Sequence, residues 1–586
     1  MGVGGEQGAP RLFVEVTDLL AHFRGYRTPM GVARVQMALL EGGGDLFIPV
    51  AHSSASGGMR LVPPGLLAGL MAGARAGGPR DAADWVAALD AAEAELARAP
   101  LAGFAPGDRV ACLGQPDEPV LRRLRGLRAS HGIRLCVLFY DAIPLTVPEH
   151  CEASLTQAFA ARFVALCLQV DRVVAISREA ARDFRRWQRV ALPAHDIPVG
   201  VVPLDAGFSA APEPTPLRPA EPYVLCVSTL ESRKNHALLL QAWLTLLRRH
   251  GTAVMPRLVL VGREGFGAEA ALRLLRHAPE LRDHVTWLRD VGDGALASLY
   301  AGCLFTVFNS FHEGWGLPVT EALAHGRLVV APDHTSLREA GGRAAIYVTS
   351  QSEPELAETL WELIRDPGRR TALEATLGER APLRSRRDVA EDLAAQLREE
   401  VPPPGPRAAL PVGWRLPLLP LPPCALPALP APADVLAQVM REGEGWGEQE
   451  PGGVWLLAGG ARLRLPLAQA LAAPLLRLEL TAPAAPVRLR LRAGDGPHGG
   501  SWHALDLAAD DRRVVELALP PCGPGDLVVE FDTASHARLP GEARRLHALL
   551  SGLMLCEAGD DAARLRYAED RLGLRRLATE DRNAPA

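Results

Sequence analysis

Two stretches of this sequence hold side chains that together could bind a diphosphate and a polyol. The first is Tyr223–His250, YVLCVSTLESRKNHALLLQAWLTLLRRH. An apolar strand ends near Ser228, a polar turn follows, and a helix begins with Asn235 in the N-cap place, where a short polar side chain can accept from free backbone N–H groups. Arg233 and Lys234 therefore fall between a strand and a helix, at the carboxyl edge of a parallel sheet. Open α/β sheets bind ligands at that edge. Two adjacent cations beside a helix N-terminus suit a diphosphate. An isolated Arg-Lys pair in a turn, by contrast, is an ordinary solvated surface feature.

The second stretch is VFNSFHEGWGLPVTEALAHGRLVV, residues 307–330. A strand runs into a loop broken by Gly314 and Gly316, which let backbone approach a ligand closely. Pro318 suits the first turn of a helix, and Gly326 suits its end. Glu313 lies in the loop and Glu321 in the opening turns of the helix. Carboxylates at such an edge can hydrogen-bond a polyol, one a hexose and the other a ribose diol. Either acid alone could instead complement the helix dipole, worth about 0.3–1 kcal/mol.

The elements that must position these residues follow from periodicity. Short apolar strands are expected at 11–16, 109–113, 134–139, 172–176, 223–228, 257–261, 285–288, 305–308 and 328–331. Longer helical patterns are expected at 81–98, 236–250, 295–301, 318–325 and 354–365. Strand–helix alternation means parallel sheets covered by helices. The strands are too many for one comfortable sheet, and a Pro- and Ala-rich break at Asp205–Glu221 divides them into two α/β halves. After residue 432 the pattern becomes six short strands (461–467, 475–480, 487–492, 514–519, 527–531 and 549–555), mostly alternating polar with apolar. That predicts an antiparallel β-sandwich. The organisation read is 1–205 (acceptor-side Rossmann-like domain), 206–400 (donor-side Rossmann-like domain), 401–432 (Pro-rich linker) and 433–586 (sandwich).

Composition limits the function. The 586 residues include 63 Lys or Arg and 68 Asp or Glu, for a net charge of -5, which excludes a polybasic nucleic-acid binder. Lys234 is the one lysine, and Asn235, Asn309 and Asn583 are the complete set of asparagines. Where Lys and Arg are interchangeable a strong coding bias can replace one by the other, so a lone survivor either marks a place where they are not or is chance. Nine scattered cysteines, without zinc spacing, read as reduced buried thiols of a cytosolic protein. The first residues show no secretory signal pattern. Leu416–Ala433 is uncharged and Leu-rich but full of proline, so it reads as a polyproline-type linker rather than a membrane span.

Together the two opening segments resemble the C-terminal half of a family 4 (group 1) glycosyltransferase with the GT-B fold. Glu313 and Glu321 in EGWGLPVTE match the family's paired-glutamate element, and Arg233, Lys234 and Asn235 match its R/K-N element. LVLVGREG, containing Gly262, and HVTWLRDVGDGALASLYAGC also follow the pattern. The N-terminal half is similar more loosely. TPMGVARVQ resembles the family's glycine loop, with Gly31 letting backbone amides face the diphosphate. FYDAIPLTVPEH resembles an H-D-x-I-P element in which Tyr140 stands for the histidine and Asp141 is the remaining polar group. VVAISREAARDF resembles the strand and helix that follow it. Ser385-Arg386 stands where many relatives carry Ser-Trp before a final helix, expected at 385–400, that crosses back to the first domain.

The resemblance implies a retaining, metal-independent transfer from a nucleotide sugar to a glycan or lipid-linked glycan, with no cofactor and no nucleic acid. Glu313, Arg233, Lys234 and Asp141 would be catalytic. Gly31, Arg233, Lys234, Gly262, Gly314, Gly316, Leu317, Pro318 and Glu321 would hold the donor. The reaction would use one face of the sugar, the departing phosphate itself deprotonating the acceptor. Mannose is the donor suggested by the D-x-I-P resemblance, a bacterial surface polysaccharide the product, and the cytoplasm, or the inner face of the cell membrane by peripheral contact, the location. The rival readings are a nucleotide-sugar epimerase of the same fold and a catalytically silent GT-B glycan-binding or scaffold protein. Two arginine runs (122, 123, 125, 128 and 182, 185, 186, 189) read as solvated helix faces or as an approach for anionic lipid. Trp446, Trp455 and Trp502 read as core or as sugar-stacking groups.

Overall fold

A computed structural model of the chain describes residues 10–204, 212, 213, 215, 220–381, 383–401, 407–419, 429–495, 499–532, 536, 537, 542 and 544–572. Most of the expected break at 205–221 lies outside the described residues, as do Pro420, Pro422, Pro423, Cys424, Pro427 and Asn583.

Seven strands form the first sheet: β1 (Leu12–Glu15), β2 (Ile48–His52), β3 (Met59–Leu61), β4 (Arg109–Cys112), β5 (Arg134–Phe139), β6 (Arg172–Ala175) and β7 (Val199–Val201). Their order is β3-β2-β1-β4-β5-β6-β7, parallel throughout except for β2–β3. Six strands form the second: β8 (Tyr223–Val227), β9 (Arg257–Val261), β10 (Val285–Leu288), β11 (Thr306–Val307), β12 (Val329–Pro332) and β13 (Ile346–Val348). All run parallel in the order β10-β9-β8-β11-β12-β13. Central strands such as Leu258–Val261 are continuous buried apolar runs, as strands covered on both faces must be. Two successive doubly wound sheets are the GT-B fold expected from the sequence.

The strand order explains where ligands can enter. In the second sheet the order reverses between β8 and β11. Loops leaving neighbouring strands at such a reversal diverge to opposite faces and open a crevice at the carboxyl edge. Those two loops carry Arg233-Lys234 and Glu313. The final helix, Arg386–Arg398, returns to the N-terminal half as expected. Its N-cap Ser385 forms a capping box with Asp388, Arg386 pairs with Glu41 at 2.5 Å, and Leu397 O accepts from Arg109 Nε at 3.2 Å. Arg386, standing in place of tryptophan, thus ties this helix to the Val32–Gly43 helix by charge. Strands β2, β3, β7 and β13 escape the sequence reading, being too short or too broken by Pro and Gly to show a period.

By compactness the chain divides into two units, one holding both parallel sheets and the other the C-terminal strands with Glu118–Ser130 and Ala161–Gln169. The second unit contains β14 (Leu416–Pro417), β15 (Arg441–Glu442), β16 (Trp446–Glu450), β17 (Gly453–Leu457), β18 (Ala461–Leu467), β19 (Pro474–Thr481), β20 (Val487–Gly494), β21 (His503–Leu507), β22 (Arg512–Ala518), β23 (Gly525–Asp532) and β24 (Leu546–Glu557). One antiparallel sheet runs β16-β17-β24-β19-β22 with β14 on β24, and the other runs β15-β18-β23-β20-β21. Inward leucines of both sheets, among them Leu463, Leu489, Leu478 and Leu553, share one core.

Two expectations are corrected here. Leu416–Pro417, read as polyproline linker, pairs with β24 as an edge strand, where proline's missing N–H costs no ladder bond, and Leu418 N donates to Ser551 O at 2.9 Å. In the first arginine run, Arg122 and Arg125 are buried rather than solvated or lipid-facing. Arg125 bonds Gln169 Oε1 at 2.7 Å, Glu118 Oε1 at 2.9 Å and the Arg441 carbonyl at 3.0 Å, which supplies the partners that buried charge requires. Trp446 is core, its Nε1 donating to Glu442 O. The second run, Arg182, Arg185, Arg186 and Arg189, is exposed as expected. The described cysteines are free, and all but Cys151 are buried. Among the described residues no helix is long and apolar enough to cross a membrane.

Candidate active site

The turn after β8 is built by backbone geometry rather than by a cap. Asn235 precedes the His236–His250 helix, but its side chain makes no capping bond, correcting that expectation. Its backbone is left-handed, with φ of 53°, a conformation that asparagine tolerates better than most residues. The loop after β11 is laced to this turn. Phe311 N and Ser310 Oγ both donate to Arg233 O, at 2.8 and 3.2 Å, and Asn309 Nδ2 reaches Asn235 O at 3.5 Å.

That lacing brings Glu313 onto both cations. Arg233 Nη1 lies 2.8 Å from Glu313 Oε1, and Lys234 Nζ donates to the same oxygen. Arg233 also pairs with Glu231 at 2.8 Å and donates to His312 O at 2.7 Å. Burial alone would raise the Glu313 carboxyl, but the Arg233 and Lys234 charges outweigh it and bring its pKa down to about 2. Burial lowers the Lys234 ammonium from its ordinary value, with Glu313 opposing. Burial opposes the charged Arg233 as well, yet Glu313 and Glu231 hold it above its usual range. His236, 3.1 Å from Ser228 Oγ, is pulled down to about 4 by burial and by Lys234, so it adds no charge near neutrality.

One cleft of about 620 Å³ between the two sheets is lined by every residue expected to be catalytic or to hold the donor: Gly31, Asp141, Arg233, Lys234, Gly262, Glu313, Gly314, Gly316, Leu317, Pro318 and Glu321. Two helices point their N-termini at it. Gly31 (φ 46°) precedes the Val32–Gly43 helix and Gly316 (φ 114°) precedes the Leu317–Ala324 helix, and no side chain caps either end. Helix N-termini of this kind present backbone N–H groups and positive dipole ends to anions.

A Cβ on Gly314 would lie 2.1 Å from Tyr140 O, so this residue lets the two halves of the cleft meet. A Cβ on Gly262 would likewise fall 2.1 Å from Ser228 O, holding β8 and β9 together at their ends. The Tyr140 hydroxyl turns into the N-terminal half and donates to Leu113 O at 2.6 Å. Asp141 accepts from Ile143 N at 3.1 Å, and burial raises its carboxyl against the pull of Arg233.

Several residues in the cleft or bonded around it escaped the sequence reading. Arg34 reaches Glu321 at 3.3 Å and Asp293 at 3.4 Å, while Tyr300 OH donates to Glu321 Oε2 at 2.9 Å. Burial raises the Glu321 carboxyl, with Arg34 and Tyr300 opposing. His312 Nε2 sits 2.9 Å from Asp183 Oδ2, and the Glu339 carboxylate accepts from Arg178 N and Glu179 N at the start of the Arg178–Ala191 helix. Arg34 does stand within TPMGVARVQ, but nothing in its local spacing pairs it with a carboxylate 287 positions away.

Residues 221–366 match the family model described as Glycosyl transferases group 1. That segment is a group 1 glycosyltransferase domain. The domain and its flanks are similar to the serotype-specific mannosyltransferase WbdA of Escherichia coli, 27% identical over 259 residues that cover 42% of this chain and 31% of that protein. They are also similar to O-antigen chain mannosyltransferase B of Escherichia coli, 32% identical over 147 residues covering 25% of this chain and 37% of the relative. The chain thus spans about a third of the length of these relatives. Among solved structures, trehalose-6-phosphate synthase OtsA aligns with a TM-score of 0.47 and 14% identity over 67% of this chain and 100% of that one.

Proposed function

We propose that the chain is a retaining glycosyltransferase that moves a sugar, with mannose as the first donor to test, from a nucleotide sugar to a growing polysaccharide or lipid-linked glycan. One observation carries this reading: Arg233, Lys234 and two uncapped helix N-termini converge on the same cleft. Breaking an anomeric bond to a nucleoside diphosphate places negative charge on the leaving phosphates. Preorganised donors and cations aimed at that charge lower the barrier without reorganising.

The carboxylates divide by environment. A general base works best with a pKa near the operating pH. Glu313, held near 2 by two cations, is a poor base but a firm acceptor for sugar hydroxyls. Glu321, fixed by Tyr300 and Arg34 at the start of the second helix, is placed for the ribose diol. Tyr140 is turned away from the cleft chemistry. These assignments suit transfer on one face of the sugar, the departing phosphate taking the acceptor proton. The relatives' names, both mannosyltransferases, support mannose, and the words O-antigen chain in one of them support a polysaccharide acceptor.

Release of nucleoside diphosphate across a panel of nucleotide sugars tests the reading. Slow release by the wild type, abolished in Glu313→Ala and Lys234→Ala, is expected, and both variants matching wild type would sink it. Retention is checked separately by the anomeric configuration of the product in NMR.

A further inference from the structure

We propose that the C-terminal sandwich carries a binding site for neutral saccharide chains, centred on Trp502. The site is an open cleft of about 420 Å³ lined by Gly459, Gly460, Arg462, Arg492, Trp502, Glu530 and Asp532, among others. The register across three strands builds its floor: Arg462 on β18 stands opposite Glu530 on β23, which stands opposite Arg492 on β20. Their neighbours Leu463, Val529 and Leu491 point the other way into the core, so this charged row lies on the outer face of the sheet.

The aromatic wall is held in place. The guanidinium carbons of Arg490 and Arg492 sit 4.9 and 4.6 Å from the Trp502 ring centroid, while 37% of the residue stays exposed. An indole fixed in this way offers a flat apolar face with little conformational freedom left to lose. Gly459 and Gly460 form the turn at one end, both at positive φ, and a Cβ on Gly460 would meet nothing within 4 Å, which leaves that end open.

The charges choose the ligand. Glu530 pairs with Arg462 at 3.1 Å and accepts from Arg492 Nε at 2.5 Å, and Asp532 pairs with Arg490 at 3.2 Å. A polyanion would have to compete with these built-in carboxylates for every guanidinium, losing the counterion-release advantage that drives such binding. A neutral pyranose meets no such conflict. Its C–H face stacks on Trp502, and its vicinal hydroxyls donate to carboxylate oxygens and accept from guanidinium N–H groups. Saccharide binding here is independent of the transferase reading, since it requires no turnover.

Affinity electrophoresis of the full chain in native gels containing soluble α-mannan, dextran or heparin provides the test. Retardation by at least one neutral polymer is expected, weakened about tenfold or more in Trp502→Ala and largely kept in Trp502→Phe, which preserves an aromatic face. Glu313→Ala should be retarded like wild type, locating the binding outside the transferase cleft, and Trp502→Ala should keep wild-type nucleoside diphosphate release. No retardation by either neutral polymer, retardation by heparin alone, or equal retardation of Trp502→Ala and wild type would each overturn the proposal. Melting curves of both Trp502 variants separate lost binding from lost folding.

Discussion

Lys234 donates to Glu313 across 79 positions of sequence, and Glu313 Oε1 is also the atom that Arg233 reaches at 2.8 Å. The only lysine in the chain is therefore half of a paired cation site organised around one carboxylate. Its ammonium is also seated 5.0 Å from the Phe308 ring centroid. That enclosure is shaped for a compact point charge, where a forked guanidinium of different reach and geometry would displace its neighbours.

Lys234→Arg should consequently keep the fold and lose most of its turnover. Misplacing a group in a catalytic site by about 1 Å costs about 10²-fold. The check is nucleoside diphosphate release alongside a melting curve. A fully active variant would return the lone lysine to coincidence.

Glu313→Gln removes the charge that compensates both cations. Turnover should fall about 10²–10³-fold, as for other preorganised electrostatic groups. The stability consequence depends on pH. A carboxyl depressed from 4.5 to about 2 on folding contributes stability that is complete above 4.5 and lost as pH falls through 2. The gap in melting temperature between wild type and Glu313→Gln should therefore be widest near neutrality and narrow across that acid window.

The His312–Asp183 pair runs in the opposite sense. Burial lowers the imidazole, but the hydrogen bond and charge of Asp183 raise it above 6.5 overall. Its contribution is fully present below 6.5 and lost as pH rises through the raised folded value. Because this pair joins the β11 loop to the Arg178–Ala191 helix, alkaline pH should weaken the cleft. His312→Gln should flatten the alkaline fall in wild-type melting temperature, and an unchanged slope would remove His312 as its source.

Gly314→Ala tests the meeting of the two halves. The added Cβ would lie 2.1 Å from the Tyr140 carbonyl, a backbone atom that has little freedom to yield. A loss of about 1–3 kcal/mol is expected from urea unfolding, with a larger loss of turnover because the cleft cannot close to its native width.

Arg34→Ala should leave Glu321 buried and served by Tyr300 alone. Removing one partner of a buried ion pair costs about 3–5 kcal/mol. The penalty should shrink as pH falls, because a protonated Glu321 no longer needs the charge. A pH-independent loss in urea unfolding would argue that Arg34 acts by packing.

Much of the architecture is legible in the sequence because it is local. Strands such as Leu258–Val261 and β8 announce themselves as apolar runs, and the Leu317–Ala324 helix by Gly316 and Pro318 at its start. The paired turn Arg233-Lys234 and the loop at Glu313 are visible because each sits at a strand end, and strand ends of parallel sheets face ligands. What the sequence determined alone is the set of residues and the edge of the sheet to which they belong. Tertiary structure decided their partners. The reversal of strand order between β8 and β11 puts Glu313 on Lys234, the approach of the N-terminal half puts Arg34 on Glu321 and Tyr140 O against Gly314, and antiparallel register aligns Arg462, Glu530 and Arg492 beneath Trp502. Periodicity reports which face of an element is buried. It carries no information about which distant face will cover it, and charge pairing at a site depends on that second choice.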